Sequence, residues 1–385
     1  MAWTNYQKFL ALLMVVTGSF NTLSVKYSDR LIVPGADGQP RHFNHPFIQS
    51  SFMFLGEMSC LLIFKIIYVY YNRLNDGSVD NNRLTKGSRN FNPLIFVIPA
   101  LCDMIATSIM YVGLNLTYAS SFQMLRGSVI VFTGILSMGF LDRKLGTREW
   151  SGIGMVIFGL ALVGVSDLLI SEQTMDKNSI ITGDLLIISA QVITAVQMVV
   201  EEKFLSGLDI PPLQAVGWEG IFGFLGIVLA IIPFNYIKAD PPFADNSQGT
   251  LEAPIDAFIQ IGNSGRLFMS IIGIMLSIAF FNFAGISVTK EMSATTRMIL
   301  DSIRTITIWI FSIIFQWQEL HYVSTTIQLF GFTILLIGTS FYNNVLIPQL
   351  LRKCQSRLGR HRPPRTDEVR VINPTTGDQD IEDNR

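Results

Sequence analysis

Charge is scarce in this chain: 15% of its 385 residues are Asp, Glu, Lys or Arg, where soluble domains carry about 25%. With 49% hydrophobic residues and a mean hydropathy of +0.41, such a chain belongs in a bilayer rather than in water. Net charge is also nearly absent, at −1, so nothing in the overall balance attracts a nucleic acid. Cysteine is rare as well. Cys60, Cys102 and Cys354 form no CxxC pair, which argues against a disulfide framework and a thiolate zinc site. The four histidines fall outside the apolar runs, and the close pair in "HFNH", His42 and His45, is read as a solvated loop rather than a metal chelate. Walker A, GxGxxG, HExxH and GxSxG signatures are all missing. Neither an enzyme nor a cofactor is expected.

What the chain does have is length without charge. Ten segments are long and apolar enough to cross a bilayer, at about 8–25, 47–71, 93–114, 116–140, 150–169, 180–200, 212–236, 267–288, 292–315 and 323–347. The first begins "KFLALLMVV" and then "TGS", like a signal peptide, but its apolar and small pattern runs on to Val25 and favours a retained helix. Lys and Arg gather on one side of these spans, in the loops with Arg73, Arg89, Lys144 and Arg148 and in the tail after Leu351. By the positive-inside rule that side is cytosolic, and an even number of spans puts both termini there. The segment 237–266 then faces the lumen, and its "APIDAFIQI" is expected as a short surface helix. Residues 351–385 read as a basic, then acidic, disordered tail; the basic part serves as a topology anchor able to meet lipid headgroups.

A repeat is visible in outline. "YVGLNLTYASS" is echoed by "FAGISVTKEMS", and "GFLDRKL" by "IFQWQEL", at an offset of about five spans. Five is odd, so the second copy must enter the membrane inverted, an arrangement associated with secondary transporters. The expected fold is all-α, with ten transmembrane helices as two inverted five-helix repeats, 1–169 and 170–350.

The few charges inside the spans are the candidate site. Arg126 sits about ten residues into the fourth segment, in "FQMLRGSVIVF", where an arginine costs roughly 2.5 to 3.5 kcal/mol on insertion scales. Read as a continuous helix, that segment places Gln123, Arg126 and Thr133 on one face. Glu57 lies in "FLGEMSC", Asp103 precedes Thr107 and Tyr111 at four-residue steps, Glu219 lies in "GWEGIFG", and Arg297, Asp301 and Arg304 share one face of the ninth segment. The sixth segment adds Gln191, Thr194, Gln197 and Glu201 on one arc. Polar contacts between membrane helices average only about 0.6 kcal/mol. Seven midplane charges would be costly glue, and a solvated solute cavity explains them better. Their signs nearly cancel, so they name neither an anionic nor a cationic solute, and midplane carboxylates also suit proton coupling. Glycines at 154, 159, 164, 331 and 338 mark close helix packing, internal or in a homodimer.

The stretches "CDMIATSIMYVGLNLTYASSFQMLRGSVIVFTGILS", "GWEGIFG" and "SVTKEMSATTRMILDSIRTITIWIFS" closely resemble solute carrier family 35, subfamily F, in the drug/metabolite transporter superfamily. The resemblance implies the five-plus-five inverted repeat, alternating access, and kinship with nucleotide-sugar transporters and, more loosely, the chloroquine-resistance transporter. It implies an endomembrane home, in the Golgi or the lysosome and endosome, with a mitochondrial membrane also proposed within the subfamily. Phosphate-binding relatives carry basic residues at the ninth helix. Lys290, Arg297 and Arg304 occupy comparable ground here, but Asp301 interrupts them. The leading expectation is a secondary transporter of a small polar metabolite, a nucleotide sugar or related anion. The alternatives are a proton-coupled exporter of cationic or zwitterionic solutes and a membrane scaffold working through its tail. Pairing Arg126 with Asp301 through the repeat predicts that the two meet across the cavity.

Overall fold

The computed structural model describes residues 3–74, 82, 84–117, 119–142, 144–170, 177–239, 246, 248–315 and 322–342. The expected basic tail, Cys354 and the "QWQEL" of the second echo lie outside them. Twelve α-helices appear among the described residues: α1 Asn5–Arg30, α2 Pro46–Leu74, α3 Val97–Leu116, α4 Ala119–Leu125, α5 Val129–Phe140, α6 Thr147–Ile170, α7 Lys177–Leu208, α8 Pro212–Phe234, α9 Pro254–Asn263, α10 Gly265–Glu291, α11 Ala294–Ile314 and α12 Tyr322–Tyr342. Nine stretches of these helices are long and apolar enough to cross a membrane. The remaining expected span, the ninth, is α11; it is helical over 21 residues, but Arg297, Asp301 and Arg304 keep it below a purely apolar threshold. α9 is the short surface helix read in "APIDAFIQI"; it buries Asp256, Ala257, Gln260 and Ile261 and exposes Ile255 and Phe258.

Local chemistry sets the ends. Thr4 and Gln7 form a reciprocal capping box at the start of α1, satisfying two amides that have no helical partner. Ser264 caps α10 through the Leu267 amide at 3.3 Å. α1 continues to Arg30, several residues beyond its apolar run, because it packs along α10. There Asn21 Nδ2 donates to the Ile274 carbonyl at 3.2 Å and to Ser277 Oγ at 3.1 Å.

The fourth expected span is not one helix. It breaks into α4, a 3₁₀ turn over Arg126–Ser128, and α5. Gly127 and Ser128 have weak helix preference, and a Cβ on Gly127 would press against Leu335 at 3.0 Å. The continuous face expected for Gln123, Arg126 and Thr133 is therefore interrupted at its centre. Thr133 turns into the packed core, fully buried.

The helices pair closely across the chain: α1 on α10, α2 on α8, α3 on α7, α6 on α12. Lipid tails are as apolar as leucine, so such pairs depend on close packing rather than on hydrophobic exclusion. In α6 against α12, a Cβ on Gly159 would meet the Gly331 carbonyl oxygen at 2.6 Å, and one on Gly331 would meet the Gly159 carbonyl oxygen at 2.8 Å. Gly338 stands in the same relation to Gly152. These glycines serve packing within the chain, while Gly154 and Gly164 meet nothing within 4 Å.

One end of the bundle carries a small cap. β1 (Ile32–Pro34) and β2 (Pro40–His42) pair antiparallel and clasp α9. The Ala36 amide donates to Asp256 Oδ1 at 2.5 Å, and Asn263 Nδ2 to the Pro34 carbonyl at 3.0 Å. His45 is 2% exposed, not solvated as its loop position suggests. It lies between Glu252 Oε1, 2.6 Å from Nδ1, and Asp256 Oδ2, 3.6 Å from Nε2. Glu252 also accepts from the Phe47, Ile48 and Ala253 amides, placing an anion at the N-terminus of α2. Among the described residues no group of His, Cys, Asp and Glu is arranged to hold a metal ion.

Candidate functional site

The 3₁₀ turn at Arg126 borders the site. The turn releases the arginine side chain toward α11, where its Nη2 stands 4.0 Å from Asp301 Oδ2. That separation is an ion pair at its outer limit, too long for a hydrogen bond. Arg126 also lies 5.9 Å over the Phe122 ring and is 25% exposed. Asp301 is held more firmly by its own helix: Arg304 Nη2 donates to Oδ1 at 2.8 Å, and the Arg304 guanidinium rests 4.8 Å over Phe281. One carboxylate thus serves two guanidinium groups. Arg304 is buried, so of the two guanidinium groups Arg126 is the one that meets solvent.

The other wall is acidic. Glu57 from α2 accepts from Asn282 Nδ2 at 2.6 Å. Asp103 from α3 and Glu219 from α8 lie within electrostatic range of it. Below them Arg297 Nη1 donates to Glu201 Oε2 at 2.5 Å, and Gln197 Nε2 donates to Glu201 Oε1 at 2.9 Å. Arg297 reaches across α10 at Gly285, where a Cβ would stand 2.9 Å from its Nε. α2 and α8 cross at the level of these acids: a Cβ on Gly220 would sit 2.8 Å from Glu57.

A cavity of about 300 Å³ lies between the walls. All eight candidates, Glu57, Asp103, Gln123, Arg126, Glu219, Arg297, Asp301 and Arg304, line it, with Thr107, Tyr111, Gln191, Thr194 and Gln197. The lining also includes Lys26, Asp29, Asn21 and Asn282, which the sequence reading did not select. Asn282, a lone amide in "FFNFAG", was the signal available; Lys26 and Asp29 read as loop residues until α1 is seen to run on to Arg30. The lining extends to the last turns of α1 and α3 and to Ser50, one turn into α2, so the cavity leads toward that end of the bundle. Thr133 is not among the lining residues. Neither is Lys290, whose Nζ pairs with Asp209 Oδ1 at 2.7 Å and donates to the Ile210 carbonyl at 2.9 Å. It borders a separate pocket with Gln7 and Lys86 at the opposite end. The basic row Lys290, Arg297, Arg304 is therefore not one anion cradle.

Comparison with known proteins agrees with this architecture. The family described as nucleotide-sugar transporter matches residues 4–216. Solute carrier family 35 member F6 of Homo sapiens is 52% identical over 365 residues, covering 94% of each chain. This chain belongs to solute carrier family 35. The UDP-galactose transporter of Schizosaccharomyces pombe is 28% identical over 207 residues, 51% of this chain and 55% of that one. One solved crystal structure superposes with a TM-score of 0.54 at 12% identity, over 91% of this chain and 99% of that one; at that identity the likeness concerns the fold alone. The protein is a multi-pass membrane transporter of small solutes, with its charged residues gathered on a central cavity.

Proposed function

We propose that this protein is a secondary transporter that carries a small anionic metabolite of the nucleotide-sugar class across an endomembrane by alternating access. The observation that carries the reading is the Arg126–Asp301–Arg304 triad on the cavity wall. Its loose 4.0 Å contact and partial exposure leave one guanidinium able to exchange Asp301 for an incoming phosphate or carboxylate. Asp301 keeps Arg304 while this happens, so no buried charge is stranded. Arginine suits the task because its planar fork matches phosphate and carboxylate oxygens in pairs. Tyr111 and Phe122, also on the lining, offer flat faces to a ring.

Alternating access requires two halves that rock. The reading is a ten-span inverted repeat of 1–169 and 170–350, with both termini cytosolic and 237–266 lumenal. Helix packing supports it. Exchanging each span with its counterpart five spans on turns the α1–α10 pair into α7–α3, and the α1–α11 pair into α7–α5. It leaves α2–α8 and α6–α12 unchanged, and each of these pairs occurs. The resemblance to nucleotide-sugar transporters favours an endomembrane site, Golgi, lysosomal or endosomal, a mitochondrial membrane being the other candidate from the sequence.

The test is uptake by the purified full chain in liposomes over a panel of nucleotide sugars, amino acids and thiamine-like cations. Saturable uptake of a nucleotide sugar, or of another anion that competes with it, is expected. Uptake confined to the cations, or no uptake of any member, overturns the substrate reading.

A further inference from the structure

We propose that Glu57 and Glu219 together bind a proton, and that this proton is the coupling ion of the transport reading above, on which the coupling rests. The two glutamates come from α2 and α8 where those helices touch, at Glu57 and Gly220. Both side chains are more than nine-tenths buried, and both line the cavity.

The surroundings are short of positive charge. Glu57 and Glu219 lie within electrostatic range of each other, of Asp103 on α3, Glu201 on α7 and Arg297 on α11, and Glu57 accepts from the neutral Asn282 on α10. Arg297 is the only guanidinium in that set, and it is committed to Glu201 at 2.5 Å. Arg126 and Arg304 are held by Asp301 on the other wall. Arg126 also acts on Asp103, but four ionised carboxylates would still leave a negative excess in a buried site, and carboxylates that share such a site retain a proton.

A second observation locates the proton. Glu219 Oε1 is buried without a hydrogen-bond partner among the described residues, whereas Glu57 Oε1 is occupied by Asn282. An ionised carboxylate oxygen without a donor is costly; one that takes a proton from the cavity is not. In the step, a hydronium ion in cavity water gives its proton to Glu219 Oε1 and leaves as water. The reverse transfer returns the proton when the cavity opens to the other side. Each proton bound lowers the negative potential facing Arg126, so proton and anion favour each other's entry and move together.

The experiment is infrared difference spectroscopy of the full chain in liposomes, titrated with acid and read at the carboxyl C=O stretch. Glu57→Gln and Glu219→Gln are compared with Glu149→Gln, outside the cavity, and with Glu57→Asp and Glu219→Asp. A band that titrates in wild type and in Glu149→Gln, vanishes in the glutamine variants and shifts in the aspartate variants is expected. Absence of such a band from wild type, which needs no variant to fold, or its survival in both glutamine variants overturns the proton site. A pH dye trapped in the same vesicles follows protons while the solute panel is applied. Solute accumulation without dye response overturns the coupling and leaves the transport reading standing. A titrating band with no panel solute moved leaves the proton site standing and overturns the substrate reading.

Discussion

Two buried charge clusters in this molecule are built in opposite ways. In the cap, His45 is enclosed by Glu252 and Asp256, the carboxylates wholly buried and the histidine nearly so; Glu252 takes three backbone amides besides the ring. In the cavity, Arg126 is a quarter exposed, its carboxylate stands 4.0 Å away, and that carboxylate is shared with Arg304. Glu219 is left with an unpartnered oxygen. Asp256 Oδ2 also lacks a hydrogen bond among the described residues, but it faces the buried His45 ring nitrogen at 3.6 Å rather than a cavity. A cluster whose charges are enclosed by one another holds a fold together, and has little left for a ligand. One with spare valence facing a cavity can exchange partners. The contrast separates structural from transporting charge without reference to residue type.

The contrast can be broken from either side. Removing Asp301 should have the largest effect. Asp301→Leu leaves two arginines uncompensated near the midplane, a penalty of about 3 to 5 kcal/mol where burial is complete and less where water enters. Uptake in liposomes should be abolished, and thermal unfolding of the purified protein should come earlier. Glu252→Leu should cost a similar amount, about 3 to 5 kcal/mol, but in stability alone. Uptake per folded molecule should stay within about twofold of wild type, since Glu252 does not line the cavity.

A smaller effect is expected with pH. Burial disfavours the charged imidazole, but Asp256 and Glu252 outweigh it and raise the His45 pKa from 6.5 to about 9. A raised folded-state value means that the stabilisation is complete below about pH 6.5 and is lost as pH rises through about 9. The difference corresponds to about 3 kcal/mol. Unfolding temperature should fall across that window in wild type and change less in His45→Asn. The His45 contact and the Ala36 amide hold Asp256 below its usual range, so its own contribution is lost only as acid reaches that depressed value. Lys290→Ala should have the smallest effect, within about 1 kcal/mol, because its partner Asp209 is exposed, and uptake should be nearly unchanged. A large loss of uptake would return Lys290 to the anion site.

Much of the fold is written in the chain as long apolar runs, because a bilayer demands them. α11 is legible despite three charges, since spacings of four and three place Arg297, Asp301 and Arg304 on one face and leave the other apolar. The eight candidates converge on one cavity because charge inside a span has few other places to go. The break at Arg126 was not legible. Gly127 and Ser128 have weak helix preference but are common in membrane helices, and the Leu335 side chain that leaves no room for a Cβ at 127 comes from far along the chain. The repeat aligned Arg126 with Asp301, and the structure puts them 4.0 Å apart, but no local pattern said that Arg304 holds Asp301 more closely. That sharing matters for design. Exchanging Arg126 and Asp301 would set a new arginine beside Arg304, so a charge swap would not restore the pair. His45 was misread because its partners lie over 200 residues away, beyond any local signal.

The most direct measurement compares initial uptake by wild type, Arg126→Lys and Arg126→Leu in liposomes, at matched amounts of folded protein, for whichever panel solute wild type accumulates. Loss of uptake in the leucine variant is the expected result, with the lysine variant retaining part of the rate at a raised KM, because a point charge replaces a fork. Equal rates in wild type and Arg126→Leu would contradict a role for Arg126 in recognising the solute.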